Sequence, residues 1–238
     1  MPGEGFPLSG LDKVKGLFSR LARRREAAEE PLSEPAPAPA SAEPEVVVHT
    51  KALWKLIAAL GAWPSPTLVD LGPVVGTNIE FFGEQFGCKM FIADILAQAD
   101  RFEREHGRGG LPAFLDTCFP QQAASVDAVL CWDVFDFLDK PSARIVAGHL
   151  MRVLKPEGAL FGFFATTQPA ESRLSKFMVV VDGSLRHRWH ATPRMRQAVL
   201  QNRDIIRLFD RLRVSDSFLL HTKVREILFR KPGYLAGP

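Results

Sequence analysis

Residues 69–78 of the chain read Val69-Asp70-Leu71-Gly72-Pro73-Val74-Val75-Gly76-Thr77-Asn78. It closes a short apolar run that begins at Thr67, and a segment with apolar residues at helical spacing follows it. A strand, a glycine-containing turn and a helix in this order are typical of the turn that holds a nucleotide in an α/β sheet. The sequence therefore predicts a ligand at the carboxyl end of this strand.

The pattern continues along the chain, because short apolar runs alternate with helical stretches after Thr67, as expected for a parallel sheet covered by helices on both faces. We predict strands at 67–71, 89–93, 113–115, 126–132 and 159–165, and main helices at 77–86, 96–106 and 142–154. Before them, Thr50 is predicted to cap a helix that ends at Gly61. Two strand-like runs near the end, 214–221 and 225–230, are too close for a crossover helix, so we predict an antiparallel hairpin.

The composition fits one globular domain with extra segments, since 238 residues are too few for two full domains. The net charge of +3 hides an asymmetry, because the positive charge lies almost wholly in residues 170–238. The three cysteines have no metal-ligand spacing and are interpreted as reduced thiols. No apolar run is long enough to span a bilayer and no signal peptide is visible, so we expect a cytoplasmic protein.

The N-terminal segment is expected to lie outside the domain. Ser9 begins a short amphipathic helix that is basic on its polar face and ends near Arg25. It could lie on an anionic membrane or dock on a partner, or it could pack on its own domain. The Ala-, Pro- and Glu-rich residues 27–45 predict a linker. The predicted organisation is a tail and helix over 1–26, this linker, and a domain over 46–238.

Acidic residues at predicted strand ends indicate the kind of ligand. Asp70 would repel a pyrophosphate, whereas S-adenosylmethionine (SAM) carries a cationic sulfonium and ammonium, so the sequence favours SAM over NAD, FAD or ATP. Alternatively, Asp70 accepts hydrogen bonds from amides of its own turn. Asp94 ends the next strand about twenty residues after the turn, where a carboxylate binds ribose hydroxyls, or it lies in a solvated loop. Asp116 ends the predicted third strand, within reach of an adenine edge.

Together these features resemble the class I SAM-dependent methyltransferases, especially the small-molecule, type 11 like group, over roughly residues 69–231. The resemblance rests on 69–72 with Gly76, Asp94, Asp116 with Phe119-Pro120, the strand 126–130, and 152–158 before the fifth strand. It implies a Rossmann-like, seven-stranded, mostly parallel sheet with helices on both faces and a reversed final strand. It also implies that Asp70, Gly72 and Gly76 line the methionine end of SAM, with Asp94 at the ribose and Asp116 at the adenine.

Two positions depart from the family pattern. Val74 stands where the family has its middle glycine, and Glu157 replaces the first glycine of a Pro-Gly-Gly turn. A β-branched residue adds bulk and disfavours positive φ, so we expect Val74 to weaken the contact between turn and cofactor.

The predicted substrate side follows the fourth strand. Asp133 is a candidate to orient or deprotonate a substrate, or it caps the next turn. Residues 166–200 are predicted to form a lid insertion with a hairpin turn at Asp182-Gly183. His187, in this insertion, is a candidate general base or a hydrogen-bonded lid residue, and its spacing from His190 does not indicate a metal site. Eight cations lie in this insertion or beside it, and they either attract an acidic substrate or are solvated surface charges. They are Arg173, Lys176, Arg186, Arg188, Arg194, Arg196, Arg203 and Arg207.

The sequence thus predicts a SAM-dependent methyltransferase that acts on a small anionic molecule. The alternative is a non-catalytic scaffold or SAM-binding module with the methyltransferase fold, recruited by its N-terminal helix. Nucleic acid is disfavoured as a substrate, because the Asn/Asp-Pro-Pro-aromatic motif of base-methylating relatives is absent after the fourth strand.

Overall fold

The computed structural model describes residues 45–168, 173–180, 184–191, 196–197 and 199–233. The predicted helix 9–25, nearly all of the linker and the Asp182-Gly183 turn lie outside these residues. The elements, in chain order, are β1 (Val46–Val48), α1 (Ala52–Leu60), β2 (Thr67–Asp70), α2 (Gly76–Phe86), β3 (Lys89–Ile92), α3 (Ile95–His106), α4 (Leu111–Thr117), β4 (Val126–Trp132), α5 (Lys140–Val153), β5 (Leu154–Ala165), β6 (Arg173–Val179), β7 (Leu185–Ala191), α6 (Asn202–Leu208), β8 (Arg213–Leu219) and β9 (Val224–Arg230).

Six strands form the main sheet, in the order β3-β2-β4-β5-β9-β8. The first four are parallel, whereas β9 runs antiparallel to β5 and β8 antiparallel to β9. One apolar core packs α3, α4 and α5 against one face of this sheet, and a second core packs α1 and α2 against the other face. The predicted α/β class, the mostly parallel sheet and the closing hairpin are confirmed.

The predicted count of seven strands is wrong for the described part of the chain, where the main sheet has six. The predicted strand at 113–115 belongs to helix α4 instead. Leu111 and Leu115 are both buried and lie one turn apart, and Pro112 occupies the first turn, where proline is compatible with a helix. A three-residue apolar run is too short to distinguish the two periodicities, so the helix could not be separated from a strand.

A second, three-stranded sheet lies beside the main one, in the order β1-β7-β6. We call it the lid sheet, and both of its neighbouring strand pairs are antiparallel. Asn78, in the first turn of α2, fixes it in place: its Nδ2 donates to the carbonyl of Phe177 and its Oδ1 accepts from the amide of Val179, both at 2.8 Å. The lid sheet is therefore held against the helix that follows the glycine turn.

The first helix is fastened to the reversed strand β9. The Oγ1 of Thr50 accepts from the amide of Leu53 at 3.3 Å, as predicted for a capping residue. Its hydroxyl also donates to the buried carboxylate of Glu226, which accepts from the Lys51 amide at 2.8 Å. None of the helices in the described ranges is both long enough and apolar enough to cross a membrane.

Candidate functional site

The glycine turn after β2 is closed by a tryptophan. Asp70 is buried, and its Oδ1 accepts from the Gly72 amide at 2.9 Å and from the Trp132 indole Nε1 at 2.7 Å. A Cβ on Gly72 would lie only 2.6 Å from Cδ1 of the same indole. The space left by the missing glycine side chain is therefore filled by Trp132.

Burial dominates the electrostatics of this turn. Desolvation raises the pKa of Asp70 to about 6, although the hydrogen bonds from Gly72 and Trp132 oppose the shift, and the nearby charge of Asp94 adds to it. The acid thus interacts with groups of its own protein, including the Gly72 amide of the turn, which was the alternative that the sequence left open.

The Trp132 indole also belongs to an aromatic wall. It stacks on Phe177 of the lid sheet, with ring centroids 5.0 Å apart and planes 15° apart, and it lies 6.5 Å from the ring of Phe163. Trp132 itself has a φ of 49°, in the left-handed region that non-glycine residues rarely adopt. This backbone conformation at the end of β4 directs the ring across the turn.

The other positions of the turn lie outside this contact. Val74 has 59% of its surface exposed, so its bulk does not fill the turn. Gly76 is the first residue of α2, and a Cβ there would meet nothing within 4 Å. The residue that closes the turn is therefore Trp132, not Val74.

Asp94 and Asp116, predicted to contact the nucleoside, lie in different surroundings. Asp94 follows β3 at the carboxyl edge of the sheet, close enough for its charge to affect Asp70, and its carboxylate caps α3 by accepting from the Ala97 amide at 3.4 Å. Asp116 lies on α4, has 71% of its side chain exposed, and pairs with His149 Nε2 at 2.8 Å. His149 lies near the end of α5, toward the amino edge of the sheet, so Asp116 does not join Asp94.

A cavity of about 290 Å³ lies between the lid sheet, the end of β5 and the turn that joins β8 to β9. Asp133 and His187, the two catalytic candidates, both line it. Phe163 and Phe177 form part of its wall, and neither Trp132 nor Asp70 reaches it. The aromatic wall therefore stands between the cavity and the glycine turn.

Two buried carboxylates share one guanidinium at the base of this cavity. Arg196 donates to Asp133 Oδ2 at 2.9 Å and also bonds Asp136, which accepts from the Ala165 amide at 3.1 Å. Desolvation raises the pKa of both acids, that of Asp136 to about 7, and the charge of Arg196 only partly offsets the shift. Since the two acids interact, they titrate as a pair.

Two buried polar atoms in the cavity lack a hydrogen-bond partner within the described part of the chain. They are Oδ1 of Asp133 and Nδ1 of His187. Burial lowers the pKa of His187, so its imidazole is neutral near pH 7. Its ring stacks on Phe177, with centroids 5.8 Å apart. The cavity thus offers a ligand two polar contacts between aromatic rings.

Most of the described cations that were predicted to attract an acidic substrate do not line the cavity. Arg186 pairs with Glu45 at 3.4 Å, and Arg188 bonds the same carboxylate. Arg207 lines a different groove, beside α5 and α6. Of the described members of the predicted set, Arg196 lines the cavity, where it is engaged by two acids.

Three side chains of this region were not singled out from the sequence. Trp132 is the last residue of β4 and Asp136 follows four residues later, and a bulky residue at the end of a buried strand was the available signal. Arg196 was one cation among eight, and nothing in the sequence distinguished it. Within the described residues, no group of three or more His, Cys, Asp or Glu side chains could hold a metal ion.

These residues do not fit the methionine end of SAM. The first glycine of the turn faces an indole ring, and Oδ1 of Asp70 already accepts two hydrogen bonds from the protein. The ribose end is different, because Asp94 remains at the carboxyl edge and is partly exposed.

No protein-family model matches the chain, and no curated protein matches it either. Several solved structures, in contrast, are similar to the chain. A putative type 11 methyltransferase from Sulfolobus solfataricus is 14% identical, with 77% of this chain and 94% of that chain covered and a TM-score of 0.42. The 1,6-didemethyltoxoflavin-N1-methyltransferase of Burkholderia thailandensis, solved with its substrate and S-adenosylhomocysteine, is 13% identical, with 97% and 94% covered and a TM-score of 0.44.

Another similar structure is not named as a methyltransferase. The [4+2]-cyclase SpnF is 13% identical, with 75% of this chain and 79% of that chain covered and a TM-score of 0.44. Similarity at this level does not transfer an activity. The reversed β9 of this chain nonetheless matches the reversed final strand that the resemblance to class I methyltransferases implies, in a sheet of six described strands where seven were predicted.

Proposed function

We propose that this chain is a methyltransferase-fold binding protein that holds a small molecule in the cavity beside its lid sheet and does not use SAM. The observation that carries the proposal is the contact between Trp132 and Gly72, where the indole fills the space beside the first glycine of the turn. The aromatic wall supports it, because a methyl donor at the turn would be separated from a molecule in the cavity.

The energetic cost of admitting SAM follows from the contacts of Trp132. To vacate the turn, the indole must leave Phe177, give up its hydrogen bond to Asp70 and expose a ring that is 3% accessible. Removing a buried tryptophan from a core costs about 3–5 kcal/mol. If opening costs a similar amount, SAM affinity falls by about a hundredfold or more relative to an open turn.

The cavity supports a binding role on its own. Buried polar atoms without partners are rare in folded proteins because each one costs about 1–3 kcal/mol. Asp133 and His187 each contribute one such atom to the same apolar cavity. A few polar groups in an otherwise apolar concavity are typical of small-molecule sites.

Calorimetric titration of S-adenosylhomocysteine into the full chain tests the proposal. We expect no saturable binding by the wild-type protein and a gain of binding in Trp132→Ala, which should disappear again when Asp94→Ala is added. Trp63→Ala is the matched control, since Trp63 is partly buried and packs near Arg230, away from the turn. Saturable binding by the wild-type chain would overturn the proposal.

The second candidate is the SAM-dependent methyltransferase predicted from the sequence. It is favoured by Asp94, which follows β3 at the sheet edge where a ribose-binding acid is expected. In that case Trp132 would have to move when SAM binds. Transfer of a labelled methyl group from SAM to small molecules of a cell extract, lost in Asp94→Ala, would establish this candidate and exclude the first.

A further inference from the structure

The charged residues around the cavity favour a ligand of positive charge. Among the described residues, its buried base carries two acids, Asp133 and Asp136, and one guanidinium, that of Arg196. Lys223 lines the cavity from the β8–β9 turn, but it is exposed to solvent, so its charge is more strongly screened. Burial lowers the pKa of His187, so this imidazole is neutral near pH 7. Burial also raises the pKa of both acids, and a cation in the cavity favours their ionised forms, in which these described groups sum to one negative charge.

The unpartnered oxygen of Asp133 indicates what the ligand donates. Its Oδ2 is bonded to Arg196, whereas Oδ1 is buried with no donor in hydrogen-bond geometry among the described residues, although Ser175 lies close enough to lower the pKa of this carboxyl. A carboxylate oxygen only accepts hydrogen bonds while it is ionised, so the ligand must supply an N–H or O–H donor. Donors that carry a positive charge form the stronger bond.

The walls indicate the rest of the ligand. The rings of Phe163, Phe177, His187 and Trp189 line the cavity, and Trp189 lies edge-on to His187 with centroids 4.7 Å apart. Aromatic faces attract cations by about 0.5–2 kcal/mol, and they also accept apolar surface. The volume of about 290 Å³ lies at the small end of the range for ligand pockets.

We infer that the cavity binds a small organic ammonium ion, with its N–H directed to Oδ1 of Asp133 and its apolar body between the aromatic rings. This inference rests on the proposed function only in placing a ligand in the cavity. It reverses the charge expected from the sequence, because Arg186 and Arg188 pair with Glu45, and Arg196 pairs with the two acids of the cavity. An anion would lie beside these two acids and is disfavoured by repulsion from their ionised forms.

Three isosteric probes test the sign of the charge: benzylammonium, benzyl alcohol and benzoate, each titrated into the full chain and followed by calorimetry. We expect benzylammonium to bind about tenfold or more tightly than benzyl alcohol, because a hydrogen bond to a charged partner is stronger than a neutral one. Benzoate should not bind. Equal affinities for the three probes, tighter binding of benzoate, or no binding of benzylammonium at millimolar concentration would overturn the inference.

Variants locate the site. Asp133→Asn should remove the preference for benzylammonium over benzyl alcohol, and Asp116→Asn, at an exposed acid near the opposite edge of the sheet, should leave it unchanged. Asp133→Asn disturbs a buried network, so Trp189→Leu provides a second variant at a residue that is 39% exposed. Loss of this ring should lower the affinity for benzylammonium severalfold and the affinity for benzyl alcohol less. An unchanged preference in both folded variants contradicts the site. Binding of S-adenosylhomocysteine by the wild-type chain would instead contradict the proposed function, and it would not affect the test of the ammonium site.

Discussion

Gly72→Ala should destabilise the protein because of a single contact. The added Cβ would lie 2.6 Å from Cδ1 of Trp132, a distance that Cβ atoms essentially never show in folded proteins, and 3.1 Å from Nε1 of the same ring. The indole cannot easily move, since it is held by Asp70 and stacked on Phe177. Overpacking of this kind costs about 1–3 kcal/mol. Gly76→Ala is the control: it meets nothing within 4 Å, and an alanine at the start of a helix is neutral or stabilises by about 0.4–1 kcal/mol.

Urea unfolding followed by far-ultraviolet circular dichroism measures the free energies of unfolding of these variants. The Trp132→Ala background completes a double-mutant cycle, in which Gly72→Ala should lose most of its cost because the clashing ring is gone. A cost of Gly72→Ala that is the same in both backgrounds, or no cost in the wild type, would refute the placement of the indole on the glycine.

The remaining predictions concern the lid sheet and pH. Asn78→Ala removes two buried hydrogen bonds to β6, so we expect the free energy of unfolding to fall by about 2 kcal/mol. Hydrogen exchange at the Val179 amide should become faster. Unchanged exchange would show that Asn78 does not anchor the lid sheet. Burial raises the pKa of Asp70 from 3.8 to about 6. Between these pH values the native state keeps a proton that the unfolded chain has lost. The contribution of Asp70 to the free energy of unfolding therefore falls as pH rises through this window, by about 3 kcal/mol in total. Asp70→Asn, which retains an acceptor for Gly72 and Trp132, should remove this part of the pH dependence when unfolding is compared at pH 4.5 and pH 7.5; an identical slope would contradict the burial of an ionisable Asp70.

The parts of the fold that the sequence predicted well are those with long, unambiguous patterns. The bounds of β4 were predicted as 126–132 and are Val126–Trp132, because an apolar run of strand length, interrupted only by Asp127 and bounded by polar turns, favours a buried strand. The strand at 113–115 failed because three residues do not define a period. The lid hairpin was predicted from its Asp182-Gly183 turn. Its pairing with β1 could not be predicted, since that contact joins segments more than a hundred residues apart.

The candidate site was predicted in part. Asp133 and His187 line one cavity, which follows from their positions after a central strand and in the lid insertion. The sequence could not show that Asp70 would be buried under Trp132, because the direction of the ring depends on the left-handed backbone at that residue. Nor could it show that Arg196 neutralises acids of its own chain, since charge counting treats every surface cation alike.

A crystal structure of the full chain grown with excess S-adenosylhomocysteine shows whether Trp132 keeps the cofactor out of the glycine turn. We expect the Trp132 indole to remain on Gly72 and bonded to Asp70, with no nucleoside beside Asp94. A bound S-adenosylhomocysteine whose methionine lies against Gly72, with the indole rotated away, would contradict the claim that this tryptophan has replaced the cofactor.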